Sequence, residues 1–257
     1  MKISSSSLFL FALMVVLNAC QPWDSPSSVA SPLPTLTPSS PPTPTVIWFP
    51  PSATPTPKVF LTPTSTPQMN PGLGAVLFTD DFSDDELWDT ATSDQGSAII
   101  THNALTLAVQ PGIYLQSMRR EAVLTDFYAE ITARLNLCRG SDNYGIIVRA
   151  AGNSFYRFVL SCNGMVHAER VKSGVRLVIS EPVPSGDAPP GAPGEVRIGL
   201  WAAGSEMRLF LNDRFQFSVI EKTFPSGGFG VFARSTGDTP VTVIFSDLSV
   251  RAVVLTP

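Results

Sequence analysis

The chain has 257 residues, of which 44% are hydrophobic, 15% are charged and 24 are prolines. The formal net charge is −4, and the part after residue 74 carries 15 basic and 20 acidic residues. This balance excludes the basic surface on which nucleic-acid binding depends. The apolar run from Leu8 to Leu17 is shorter than the roughly 20 residues that span a bilayer, so the sequence predicts no transmembrane helix.

The first 20 residues have the pattern of an export signal. Lys2 supplies a short basic start, and the apolar run after it has the length of a signal-peptide core. Leu17-Asn18-Ala19-Cys20 resembles the lipobox of bacterial lipoproteins, in which the cysteine is lipidated and becomes the first mature residue. We therefore predict a signal peptide over residues 1–19 and lipidation of Cys20. The alternative is an ordinary secretory signal with an incidental cysteine.

These features predict a protein outside the cytoplasm, anchored by lipid to a bacterial membrane and exposed at the cell surface or in the periplasm. Residues 20–74 are predicted to be a disordered linker, because they contain 15 of the 24 prolines and only two charged side chains. Repeated Pro, Ser and Thr favour extended polyproline II conformation and supply no core.

Residues 75–257 form the predicted folded domain, an all-β sandwich of two antiparallel sheets. Short segments of alternating or uniformly apolar character are separated by Gly, Asn, Asp and Pro, which is typical of strands joined by tight turns. A helical turn is predicted only near Asp84 to Leu87. The predicted strands cover residues 98–100, 104–109, 127–137, 144–151, 155–161, 166–171, 175–179, 195–202, 206–211, 214–219, 228–233 and 241–250.

A predicted hairpin around residues 152–154 places two like charges together. With Ala151 opposite Phe155, Arg149 lies opposite Arg157 on the exposed face, which is unfavourable without an anion nearby. Glu130, expected on a neighbouring strand, is the internal candidate for that anion, and a ligand carboxylate or sulfate is the external one.

Several segments resemble the concanavalin A-like lectin/glucanase superfamily, particularly its laminin-G-like and keto-disaccharide-hydrolase-like exported domains. They are LFTDDFSDDELW, YGIIVR, FYRFVLSCNG, EVRIGLWAAGSEMRLFLND, GGFGVFA and VTVIFSDLSV, within residues 78–250. The resemblance implies a concanavalin A-like jelly-roll sandwich and, as ligand, a polysaccharide or other glycan.

Sugars stack on aromatic faces and hydrogen-bond to polar groups at the rim. The first candidates are therefore Trp201 and Phe210, which strand parity places on one side with Arg197 and Arg208. The alternative for Trp201 is a place in the core. The second candidates for ligand binding are Arg134, Arg149 and Arg157.

The two cysteines of the domain predict a disulfide between Cys138 and Cys162. An even pair in an exported chain is commonly oxidised, although the predicted strand positions require the intervening loop to curl back. Two free thiols are the alternative.

A structural calcium ion is a weaker expectation. β-Sandwich domains that bind sugars often hold their terminal strands with such an ion, and Asp80 and Asp81 of the first strand could meet Asp247 of the last. Capping or turn hydrogen bonds explain the same aspartates.

The sequence favours a binding role over catalysis. Glucanases of this superfamily carry two acids on one strand face, and no predicted strand here has that pattern. We therefore expect a lipid-anchored, non-catalytic glycan-binding protein. A glycoside hydrolase and a structural or adhesive protein-binding domain are the alternatives, and the oligomeric state stays open.

Overall fold

The computed structural model describes residues 68–255, which form fifteen β-strands and one short helix. The predicted signal peptide, Cys20 and nearly all of the predicted linker lie outside the described residues. No helix within residues 68–255 is long and apolar enough to cross a membrane. The strands are β1 (Leu73–Asp80), β2 (Ala91–Ser93), β3 (Gly96–Thr101), β4 (Ala104–Val109), β5 (Tyr114–Leu124), β6 (Phe127–Leu137), β7 (Asn143–Ala151), β8 (Ser154–Ser161), β9 (Met165–Lys172), β10 (Val175–Pro184), β11 (Gly194–Ala203), β12 (Glu206–Leu211), β13 (Arg214–Ile220), β14 (Gly227–Arg234) and β15 (Val241–Val253).

The strands form two antiparallel sheets, as the sequence predicts. Sheet A has nine strands in the order β13-β12-β11-β6-β15-β4-β3-β2, with β1 also paired to β15. Sheet B has six strands in the order β10-β9-β8-β7-β14-β5. The first and last strands are therefore neighbours, with Asp80 opposite Leu248.

The core lies between the two sheets and follows the alternation of the strands. On β6, Ile131, Ala133 and Leu135 are buried against sheet B, whereas Thr132 and Arg134 point to the other side. Sheet B differs because its central strands are buried at almost every position. Its outer face therefore carries a second apolar cluster, formed by Ile147, Phe155, Val159, Val171 and Phe232.

The short helix occupies the predicted position. It spans Asp85–Leu87, and the preceding Asp84 accepts a hydrogen bond from the backbone N–H of Glu86 at 3.0 Å.

The strands that the sequence analysis missed are those with broken alternation. β5 contains Glu121 at φ 59°, so residues on either side of it lose the period of two. β1 has two register shifts against β15, and β2 is only three exposed residues long. By contrast, β4 and β6 have the predicted bounds, because their alternation is uninterrupted.

The predicted pairing of Arg149 with Arg157 is wrong. Ile147 lies opposite Arg157, and the ladder is irregular after Val148, where Arg149 has φ 52°. The expected position of Glu130 beside this hairpin is also wrong, because β6 belongs to sheet A and the hairpin to sheet B. An irregular residue on one strand changes which neighbours share a face.

The predicted disulfide between Cys138 and Cys162 is present. Cys138 follows β6 in sheet A and Cys162 follows β8 in sheet B, so the bond joins the ends of the two sheets. Their Cα atoms lie 5.7 Å apart, and both residues are buried. The bond therefore joins the two sheets. The distance between strands of one sheet does not restrict it.

We predict that the disulfide stabilises the domain substantially. Replacing both cysteines with serine should lower the free energy of unfolding by about 3 kcal/mol, given a sequence separation of 24 residues. Urea denaturation with and without reductant measures this, and the double variant, which has no bond to reduce, is the control. Identical curves for the oxidised and reduced parent protein would contradict the prediction.

Candidate functional site

The outer face of sheet A carries the aromatic residues predicted to bind sugar. Trp201 and Phe210 share this face with Arg208, in agreement with strand parity, and pack with Tyr128 and Val253 in a small separate cluster. Trp201 is 2% exposed and Phe210 is 3% exposed. The structure thus places Trp201 in a core, which is the alternative that the sequence left open.

The chain entering the domain covers this cluster. The Trp201 indole N–H donates to the Pro71 carbonyl at 2.9 Å, and Arg208 donates to the Met69 carbonyl at 2.6 Å. The Met69 side chain packs on the cluster, and the Arg208 guanidinium lies 4.6 Å from the centre of the Trp201 ring. The face of Trp201 is therefore occupied by the protein's own residues.

The three predicted arginines lie in three different environments. Arg134 is exposed on the outer face of sheet A, opposite Glu195. Arg149 is 1% exposed and donates to the carbonyls of Thr125 and Phe224, so it connects two loops. Arg157 lies on the outer face of sheet B. The structure does not bring these arginines together.

Asp80 organises the N-terminal loop of the domain. Its Oδ1 accepts from the Phe82 backbone N–H at 2.9 Å, and its Oδ2 accepts from the Trp88 indole at 3.1 Å and from Arg119 at 2.9 Å. Both carboxylate oxygens are thus used within the protein.

The other two aspartates of the predicted calcium site line one cleft with Asp80. Asp81 accepts from the Ser83 backbone N–H at 3.1 Å, and Asp247 accepts from the Ser246 hydroxyl at 2.7 Å. Within residues 68–255, no group of three or more His, Cys, Asp or Glu side chains is arranged to hold a metal ion. A structural calcium ion stays a prediction.

The outer face of sheet B brings together a mixed polar and aromatic set that we call the Arg157 cluster. Register places its members on one face of four strands. Gly230 lies beside them, and a Cβ atom there would lie 2.5 Å from the Met118 sulfur, so glycine lets Met118 lie flat on the sheet. The cluster comprises Tyr114 of β5, Arg157 of β8, His167 and Glu169 of β9, and Phe232 of β14.

Aromatic rings and a carboxylate hold Arg157 in place. Its guanidinium carbon lies 5.3 Å from the ring centre of Tyr114 and 5.4 Å from that of Phe232. Its Nε donates to Glu169 Oε2 at 2.5 Å. The two ring centres are 5.8 Å apart, so Arg157 forms cation–π contacts with an aromatic pair.

Glu169 is the charged centre of the cluster. Its side chain is 2% exposed and accepts hydrogen bonds from Arg157, from Arg176 at 2.9 Å and from His167 at 3.0 Å. Burial alone would raise the pKa of its carboxyl, but the hydrogen bonds from His167 and Arg157 and their charges lower the pKa to about 2. Glu169 is therefore ionised at neutral pH.

The internal anion expected beside Arg157 exists, but it is Glu169 and not Glu130. Glu130 accepts a hydrogen bond from the Tyr128 hydroxyl at 3.0 Å and lies 3.7 Å from Arg197, on sheet A. The alternation of β9 places His167 and Glu169 on one face, and this signal in the sequence could have identified the pair.

No protein-family model and no curated protein matches the sequence, whereas solved structures do match the fold. The carbohydrate-binding module CBM66 from Bacillus subtilis has a TM-score of 0.54 and 17% identity over 65% of this chain and 96% of that one. A galectin-like protein of unknown function from Bacillus subtilis has a TM-score of 0.54 and 12% identity over 72% and 99%. An endo-β-1,3-glucanase from Pyrococcus furiosus has a TM-score of 0.50 and 11% identity over 70% and 95%.

The domain has the two-sheet β-sandwich fold of these solved structures. At these identities the likeness shows the fold alone, so the function must be argued from the residues of the site. On the outer face of sheet B, the Arg157 cluster brings aromatic rings, a guanidinium and a buried carboxylate together.

We predict that Glu169 makes stability depend on pH. Its folded pKa of about 2 lies below the ordinary value of 4.5, so its contribution is present above about pH 4.5 and is lost as the pH falls towards 2. Glu169→Gln should lower the free energy of unfolding by about 3 kcal/mol at pH 7, and this difference should shrink below pH 4.5.

Urea denaturation followed by tryptophan fluorescence between pH 2 and 7 measures this dependence. Glu195→Gln, on the exposed part of β11, controls for the change in net charge. If the free energies of unfolding of the parent and of Glu169→Gln differ by the same amount at every pH, the ionised form of Glu169 is not what stabilises the fold.

Proposed function

We propose that the domain binds glycans through the outer face of sheet B. The observation that carries this proposal is the Arg157 cluster, in which a guanidinium is fixed over an aromatic pair with further polar groups beside it. Sugars present C–H groups to aromatic faces and hydroxyls to polar side chains. The occurrence of the same fold in a carbohydrate-binding module and in a β-1,3-glucanase supports this class of ligand.

Tyr114 is the residue most suited to contact a sugar ring. It is half-buried on β5, and its hydroxyl donates to Gln116 Oε1 at 2.8 Å. Burial raises the pKa of the Tyr114 hydroxyl, against the lowering effect of Arg157, so the group is neutral at physiological pH. The ring therefore provides an ordered, uncharged stacking surface next to Arg157.

The role is binding and not hydrolysis. A glycosidase needs one carboxylic acid that donates a proton and a second carboxylate about 5 to 9 Å away. Glu169 is held ionised by three donors, so it is not suited to donate a proton at neutral pH. The geometry of the Arg157 cluster thus favours a glycan-binding module over the glycoside-hydrolase alternative.

We also infer that the protein is a lipoprotein anchored through Cys20. The chain enters the domain across the outer face of sheet A, where Met69 and Pro71 are held by Arg208 and Trp201. The Arg157 cluster lies on the opposite side of the sandwich. The support for the anchor itself is the lipobox-like stretch Leu17-Asn18-Ala19-Cys20 after the apolar run.

Substitution of Tyr114 tests the glycan-binding proposal. Tyr114→Ala should weaken binding to glycan ligands found on a polysaccharide array at least tenfold, because it removes the stacking surface. Phe215→Ala is the matched control, since Phe215 is an aromatic residue 39% exposed on the other sheet. The proposal fails if the array is silent, or if Phe215→Ala and Tyr114→Ala weaken binding equally.

Substitution of Cys20 tests the anchor. Cys20→Ala should move the protein from the membrane fraction of a bacterial host to the soluble exported fraction, because the acyl attachment site is lost. Fractionation followed by immunoblotting, with Cys138→Ser as a control that leaves Cys20 intact, measures the change. Unchanged membrane retention of Cys20→Ala would refute lipidation at this residue.

A further inference from the structure

We propose that the Arg157 cluster selects glycans that carry an anionic group, a carboxylate or a sulfate, and that Arg234 is the residue that binds this group. The inference rests on the glycan-binding function proposed above and specifies its ligand class.

Arg234 lies at the rim of the Arg157 cluster. It ends β14, where register places it directly opposite Tyr114 on β5 and Asn143 on β7. Residues directly opposite in an antiparallel pair have Cβ atoms about 5 Å apart, so Arg234 is next to the proposed stacking ring.

Arg234 has no internal anionic partner. Within residues 68–255 it makes no salt bridge within 4.0 Å and no side-chain hydrogen bond, although it is partly buried. Most other arginines on the two outer faces are paired, such as Arg176 with Glu169 and Arg197 with Asp213. Arg234 therefore has its full set of donors available to a ligand.

Arg157 offers further donors beside Tyr114. Its side chain is 9% exposed, and in the described part of the chain its hydrogen bond runs from Nε to Glu169. Its two Nη groups make no hydrogen bond to the described residues. A guanidinium held by aromatic rings and a carboxylate is already ordered and loses little entropy on binding.

The charges on this face leave a local positive excess. Around the Arg157 cluster, Arg157, Arg176 and Arg234 are the cations, and the Glu169 carboxylate is already bound by Arg157, Arg176 and His167. The surrounding domain is acidic, with 20 acidic and 15 basic residues. A polyanion is therefore attracted to this face and repelled by the domain as a whole.

An anionic sugar fits this arrangement in chemical terms. A carboxylate or sulfate accepts two parallel hydrogen bonds from one guanidinium, and such charge-assisted pairs are stronger than neutral hydrogen bonds. With the sugar ring on Tyr114, an anionic substituent of that ring comes within reach of Arg234 or of the Arg157 Nη groups. A neutral sugar would leave Arg234 unpaired.

The test compares matched acidic and neutral polysaccharides. The probes are polygalacturonate with its fully methyl-esterified form, and dextran sulfate with dextran. Affinities are measured by titration calorimetry at low and high NaCl concentration, with the full chain carrying Cys20→Ala. We expect at least one acidic member to bind tenfold or more tightly than its neutral counterpart, with affinity falling as salt rises. The pair that responds identifies the anion as carboxylate or sulfate.

The variants Arg234→Gln and Arg234→Lys locate the site. Arg234→Gln should weaken the affinity for the acidic polysaccharide at least tenfold. Arg234→Lys should weaken it less, because lysine keeps the positive charge but lacks the paired donors of the guanidinium. Arg134→Gln is the matched control, since it removes one exposed arginine from the outer face of sheet A. Equal losses in Arg234→Gln and Arg134→Gln would show diffuse attraction and overturn the proposal.

The remaining outcomes separate this inference from the function on which it rests. If the acidic and neutral polysaccharides of each pair bind with equal affinity, and Tyr114→Ala weakens that binding, the anionic ligand class is rejected and glycan binding is kept. No binding to any of the four polysaccharides, together with a silent array, would reject both.

Discussion

Burial of both faces of sheet B is the constraint on which the candidate site depends. Strands β7, β8 and β14 pack one face against sheet A, and their other face is also closed to solvent at Ile147, Val159 and Phe232. Neighbouring side chains on the same face provide this cover, as Met118 does over Gly230. A charge at these buried positions has little water around it, so it is costly unless it is paired within the protein.

Glu169 and its donors satisfy that requirement. The carboxylate receives three hydrogen bonds, and Arg157 is placed against Tyr114 and Phe232 as a consequence. Removing the carboxylate would leave Arg157 buried without a counter-ion, which is costly. The buried ion pair therefore orders the surface that would meet a ligand, and the ordering exists before any ligand binds.

The outer faces of the two sheets differ in how far the rest of the chain covers them. Sheet A also carries aromatic side chains on its outer face, but Met69 covers Trp201 and Phe210. Residues 68–72 do not cover sheet B, because they lie on the opposite side of the sandwich. The segment entering the domain thus covers the outer face of sheet A at Trp201.

The sequence predicted the two-sheet class and most strands, because alternation along a strand is a local property. It could not predict which strands are neighbours, so Glu130 was expected next to Arg157 when the two lie in different sheets. Irregular residues were the second obstacle, since Arg149 and Glu121 have positive φ and reverse the parity of the residues after them. The cover over Trp201 was a third, because it comes from the segment around Pro71, 130 positions away in the chain. By contrast, the pairing of Cys138 with Cys162 followed from predicted export and from the two cysteines that remain once Cys20 is assigned to lipidation.

The fold is compatible with both binding and hydrolysis, so the distinction depends on what the carboxylates are bound to. To become a proton donor, Glu169 would have to lose some of the donors that lower its pKa to about 2, and these donors are the groups that compensate its burial. Losing them would destabilise the face before a catalytic acid was formed. Arg234 can change without this cost because its side chain makes no hydrogen bond or salt bridge to the described residues. Under the proposed function, ligand preference can therefore vary at Arg234 while Glu169 and Arg157 maintain the fold.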